Sequence, residues 1–203
     1  MRKILLLLVA LFASFSLFAQ QDAALAKIAA ANAKAGNVQA SFEQSKVIAA
    51  SGRVIKSDGV LYFCEKASLA MVYNQPDGDL LVISGNSVKM TRSGKTSIYD
   101  TSRNARMRGL KSILLNCIGG TPNVAAEDNG TTLKVNELSD GYVVTLEAPE
   151  GQTMGYSLIT LTYRKSDCML IRMKMTEASG ISTTYSISDI HTSASFDSAV
   201  FAL

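Results

Sequence analysis

The chain is poor in the residues that most reactive centres need. Histidine occurs once, at His191, so a Ser/His/Asp or Cys/His centre would have to be built on that residue. It stands in Asp189-Ile190-His191-Thr192 near the end of an expected strand, where a surface or strand-capping side chain is the ordinary occupant. There is no phosphate-binding glycine loop, no His/Glu metal motif and no serine flanked by glycines in a nucleophile elbow. The three cysteines, Cys64, Cys117 and Cys168, have no His or Cys neighbour at ligand spacing. The expectation is therefore a protein without catalytic residues, metal or cofactor, and not an enzyme.

Other shortages narrow the class further. Of 20 Lys and Arg, Arg2 and Lys3 fall in an N-terminal targeting segment, which leaves 18 against 17 Asp and Glu, a net charge of +1. A nucleic-acid binder normally carries a concentrated basic face, so none is expected as a partner. The one basic cluster, Arg103, Arg106, Arg108 and Lys111, is assigned to a single helix, as a solvated face or a docking patch for an acidic partner. With no proline-rich linker and no internal repeat, residues 20–203 are expected to form one domain. An odd cysteine count leaves at least one thiol unpaired; free cysteines acting as small apolar residues are expected, a Cys64–Cys168 bridge being the alternative.

Residues 1–19 carry a basic start, an apolar run from Ile4 to Ala13 and a small residue at Ala19, the pattern of a cleaved secretion signal. The run is shorter than the roughly 20 residues that span a bilayer. No cysteine stands near the cleavage point to take a lipid. A soluble exported protein follows.

Beyond the signal, Asp22 is expected to cap a helix over 23–35 ended by Gly36, with Leu25, Ile28 and several alanines as its apolar stripe. The period then becomes two. A long hairpin, 38–44 and 54–63, opens a meander that continues through Leu69–Tyr73, Leu80–Ser84, Val88–Met90 and Ser97–Tyr99. Met107, Leu110, Ile113, Leu114, Cys117 and Ile118 recur at helical spacing until Gly119-Gly120 and Pro122 stop the helix. Strand rhythm returns over 131–135, 142–147, 157–163, 168–176 and 182–190. About ten or eleven strands and two or three helices make an α+β protein with one large antiparallel sheet. Met169, Ile171, Met173 and Met175 alternate with Leu170, Arg172, Lys174 and Thr176, and unbranched, polarizable methionine adapts to irregular apolar partners.

The order and spacing of Phe42-x-Gln44, Gly59-x-Leu61-x-Phe63, Tyr73-x-x-Pro76 and Leu81-Val82-Ile83-x-Gly85 resemble the periplasmic lipoprotein carrier (LolA-like) family. Tyr142 to Leu146 with Pro149, Gly180 before Thr184-Tyr185-x-Ile187-x-Asp189-Ile190, and Phe196 with Phe201 continue the pattern. The resemblance implies an open, curved antiparallel half-barrel whose concave apolar face is covered by helices. It also implies a periplasmic carrier that binds the acyl chains of lipoproteins, or another lipid, and delivers them toward the outer membrane. The implied partners are acylated lipoproteins or lipid, an inner-membrane release complex and an outer-membrane acceptor, met by a monomer. The residues assigned to the cavity are Leu61, Phe63, Leu69, Met71, Tyr73, Leu81, Ile83, Met169, Ile171, Met173 and Met175, with Leu25, Ile28, Leu110 and Leu114 from the covering helices. The family's lid-clasping arginine would fall at Ala70, so that latch is absent or built elsewhere. The alternative reading is a lipid- or lipoprotein-sensing module of the same fold that docks to an envelope protein.

Overall fold

The computed structural model describes residues 20–64, 68–152 and 155–203, so the expected signal over 1–19 lies outside the described residues. A helix over 20–35, α1, leads into β1 (Val38–Ile48), β2 (Arg53–Cys64), β3 (Ser68–Gln75), β4 (Leu80–Ser84), β5 (Ser87–Arg92) and β6 (Lys95–Asp100). Two helices follow, α2 (Ala105–Ile118) and α3 (Pro122–Asn129), then β7 (Thr132–Glu137), β8 (Gly141–Glu147), β9 (Tyr156–Arg164), β10 (Leu170–Glu177) and β11 (Ile181–Thr192). A 3-10 turn over Ser198–Phe201 closes the chain.

The strands form one open antiparallel sheet in the order β6-β5-β4-β3-β2-β1-β11-β10-β9-β8-β7. Two meanders are thus welded by the pairing of β1 with β11, and the α2–α3 segment crosses from one outer edge to the other. The result is an open half-barrel. Alternation puts one apolar set on the helix-facing side, in rungs such as Ala40–Leu61–Met71–Leu81 and Val144–Leu161–Met173. Ile28, Ile113, Leu114 and Cys117 close over those rungs in one contiguous core. Gly59 is required where β2 shifts register against β3, because a Cβ there would stand 2.0 Å from the Val72 carbonyl oxygen.

The opposite face of the first meander is also covered at β2, β3 and β4. Tyr62 meets Phe196 edge to face at 5.4 Å, and Phe196 meets Phe201 at 5.8 Å. The turn holding Phe201 lies on β3 and β4, where Ala70 and Val82 have no exposed surface. Ala70 therefore faces away from the helices, so a side chain at this position could not clasp them.

Several local expectations need correction. Asp22 lies within the helix and does not cap it, since the chain is already helical at residue 20. Arg103 precedes α2, whose cap is Asn104, the carboxamide oxygen accepting from the Met107 N–H at 3.1 Å. Pro122 ends nothing: it opens α3 at a first-turn position, where a missing N–H costs no hydrogen bond. All three thiols are free, and the Cys64–Cys168 bridge is not formed.

Candidate functional site

Most of the expected cavity residues meet, but in filled space. Leu61, Leu69, Met71, Tyr73, Leu81, Ile83, Met173 and Met175 share the helix-facing core, as do Ile28 and Leu114 above them. Phe63 packs on its margin, with its ring 3.0 Å from where a Cβ on Gly119 would stand. Leu25 lies only half-buried beside the stripe formed by Ala24, Ile28, Ala31 and Ala35. Ile171 does not join this face. A register shift between Leu170 and Arg172 leaves it outside the alternation, so Leu170 pairs with Tyr163 and takes the inward position. Met169 is buried instead against a gap of about 20 Å³ lined by Asn32, Ala40 and Ile118.

The open volume lies at the other end of α2. A cavity of about 400 Å³ separates Leu110 and Ile113 of α2 from Tyr156 and Ile159 of β9, with Asn129 and Thr131 at its side. Of the residues expected to bind ligand, Leu110 alone lines it. Ile113 belongs to the helical stripe read from sequence, and Ile159 shares the inward parity of β9 with Leu161 and Tyr163. Arg106 and Glu177 carried no such signal.

These two residues bridge the rim. The Arg106 guanidinium donates to the Glu177 carboxylate at 3.4 Å, linking the first turn of α2 to the end of β10. Burial pushes the Tyr156 phenol up to about 12, with the Glu177 carboxylate adding to the shift and Arg106 opposing it. Beyond it lies a polar aromatic band. The Tyr73 hydroxyl donates to Gln44 Oε1 at 2.8 Å, and the Phe42 ring stands edge-on to Tyr73 at 5.1 Å and to Tyr185 at 6.3 Å. Burial raises the pKa of both phenols, and nearby Arg92 lowers it.

Such a cavity can receive a slender apolar ligand while its rim offers charge and hydroxyl groups. A second cleft, of about 560 Å³, is bordered by Glu43, Lys56, Asp58 and Arg172 and has no comparable apolar floor. Among the described residues there is no His/Cys/Asp/Glu group able to hold a metal ion, and no helix long and apolar enough to cross a membrane.

The sequence model described as outer membrane lipoprotein carrier protein LolA matches residues 33–203. No curated protein matches the chain by sequence. Among solved structures, a DUF1329 family protein from Desulfovibrio piger is 12% identical, with a TM-score of 0.50 over 89% of this chain and 96% of that one. A LolA superfamily protein from Nitrosomonas europaea is 9% identical, with a TM-score of 0.45 over 89% and 97%. The lipoprotein LppX of Mycobacterium tuberculosis is 14% identical, with a TM-score of 0.43 over 87% and 99%. At these identities the likeness is one of fold alone.

Proposed function

The chain belongs to the outer membrane lipoprotein carrier (LolA) family, and from that premise we propose that it is an exported carrier holding an acyl chain of a lipoprotein or lipid beneath α2. In this reading residues 1–19 are a cleaved signal, residues 20–203 are one carrier domain, and the protein works in the periplasm as a monomer without chemistry of its own. It would receive its client from an inner-membrane release complex and pass it toward an outer-membrane acceptor.

The observation that carries the reading is the void between α2 and β9, walled by Leu110, Ile113 and Ile159 and bridged at its rim by one ion pair. Each methylene taken from water contributes about 0.8 kcal/mol, so an acyl chain gains strongly from such a place. At roughly 30 Å³ per group, close to the share of a water molecule in the liquid, about a dozen methylenes fit. That is one chain. A client with several chains would need α2 to move away from the sheet.

The docking alternative draws less support, because each basic residue of the cluster already has a partner within the chain. Arg103 pairs with Asp100 and Arg106 with Glu177, while Arg108 donates to the Thr101 and Ser102 carbonyls and Lys111 to that of Gly85. Lipid extraction and mass spectrometry of the protein isolated from its native envelope tests the carrier reading. Co-purifying acylated species are expected. Lipid-free protein that also fails to bind a fluorescent fatty acid would refute it.

A further inference from the structure

The cleft of about 560 Å³ lies on the side of the sheet away from the helices, apart from the acyl cavity. Parity places it there: Glu43 and Ser45 of β1 alternate with Phe42 of the core and the buried Gln44, and Thr184 and Ser186 of β11 alternate with Tyr185 and Ile187, which pack in the core. Register then fixes one row across four strands, in which Arg172 pairs with Ser186, Ser186 with Glu43, and Glu43 with Asp58. The next row runs Lys174, Thr184, Ser45 and Lys56. Of these eight residues only Lys174 is outside the lining of the cleft.

Glu43 and Asp58 stand directly opposite each other, an arrangement of like charges that weakens a sheet. Asp58 accepts from the Asn74 amide at 3.3 Å, whereas the Glu43 carboxylate has no hydrogen-bond or ion-pair partner among the described residues. The same holds for the side chains of Arg172 and Lys56 and for the hydroxyls of Ser45, Thr184 and Ser186. The lining is neutral in sum, Glu43 and Asp58 against Lys56 and Arg172, but its two ends differ. The β10 end is cationic, and the carboxylates face each other on β1 and β2. Two strand spacings, about 10 Å, separate Arg172 from Glu43.

A simple anion or cation would gain at one end only. A ligand that carries a carboxylate and an ammonium about that far apart gains at both. An extended chain advances about 3.3 Å per residue, so three residues span the distance, and their backbone groups meet the three free hydroxyls. At roughly 30 Å³ per group the cleft takes about eighteen non-hydrogen atoms, the size of a tri- or tetrapeptide. We propose that this cleft binds short peptides with free termini, the carboxylate on Arg172 and the ammonium between Glu43 and Asp58. The ammonium and phosphate of a zwitterionic lipid head are only two carbons apart, too close to reach both ends.

The test is calorimetric titration with trialanine, its N-acetyl form, its C-terminal amide and the doubly blocked peptide. Each block removes one charged contact, so trialanine is expected to bind at least about tenfold more tightly than either singly blocked form. R172Q should weaken trialanine binding about tenfold and leave the amide as before. E43Q/D58N should weaken it likewise and spare the N-acetyl form. E43Q alone should raise the urea midpoint by relieving the opposed carboxylates, and a lowered midpoint would overturn the reading of Glu43 as unpartnered. Equal affinity for free and blocked peptides, or an R172Q defect that persists with the amide, overturns the assignment of the two ends. Failure of trialanine to bind overturns the site. None of these results touches the carrier reading, which fatty-acid binding tests on the other face of the sheet.

Discussion

The two meanders treat the same helices differently. In β3 and β4 both faces are shut: Leu69 and Ile83 are wholly buried under the helices, and Ala70 and Val82 are wholly buried on the other side, where the Phe196–Phe201 segment packs. In β8–β10 the helix-facing side is the buried one. Its reverse carries Thr160, Thr162, Arg172 and Lys174, and its inner side keeps the 400 Å³ void against α2. A wall packed from both sides resists deformation, whereas a wall with space behind it can yield. The first meander is a fixed floor, and in the proposed reading the second is the adaptable side that would hold a ligand.

The contrast can be broken most severely at Gly59. Its Cβ would meet the Val72 carbonyl oxygen at 2.0 Å, backbone that cannot step aside. Gly59→Val is expected to cost about 3 kcal/mol or more, read by urea unfolding, and a near-neutral result would show the floor to be soft. The next comparison is between Ile83→Ala and Leu110→Ala. Removing the fully buried Ile83 side chain should cost about 3 kcal/mol with acyl binding unchanged in the molecules that remain folded. Leu110 already borders open space, so its truncation should cost about 1 kcal/mol while altering fatty-acid affinity. Equal costs would erase the difference between the two halves.

A smaller effect sharpens the comparison through pH. The buried phenol of Tyr156 ionises at about 12 in the folded chain, above its ordinary value near 10. Tyr73, Tyr163 and Tyr185 are raised by burial in the same direction. The unfolded chain therefore releases these protons first, so the stabilisation is complete below pH 10 and is lost as pH climbs toward 12. Burial raises the Cys117 and Cys168 thiols in the same way, so urea midpoints should begin to fall above about pH 8.5 and drop further beyond about pH 10. A midpoint unchanged through pH 12 would mean that the phenols are hydrated.

The floor was the more legible half in sequence. Leu61, Met71 and Leu81 alternate without interruption, and period two alone assigns their face. At β10 the same reasoning slips at Ile171, because a bulge changes parity without changing residue types. Pro122 reads as a stop when its rigid φ equally suits the start of α3. The void itself has no signature, being what remains between α2 and β9 after both have packed. The Arg106–Glu177 bridge joins residues far apart in the chain, and neither has a periodic partner to reveal it. Ala70, where the latch was expected to be absent or built elsewhere, belongs to the face away from the helices, a placement that the family pattern alone does not reveal.

The absence of tryptophan from the chain makes a direct test possible. Tyr156→Trp places a lone fluorophore on the cavity wall, and Tyr62→Trp, in a separate variant, places one beneath Phe196 on the outer face of the floor. Titration with dibromostearate should quench the indole of the cavity-wall variant saturably and leave that of the floor variant bright. Quenching of both to the same extent, or of neither, would contradict an acyl site beneath α2.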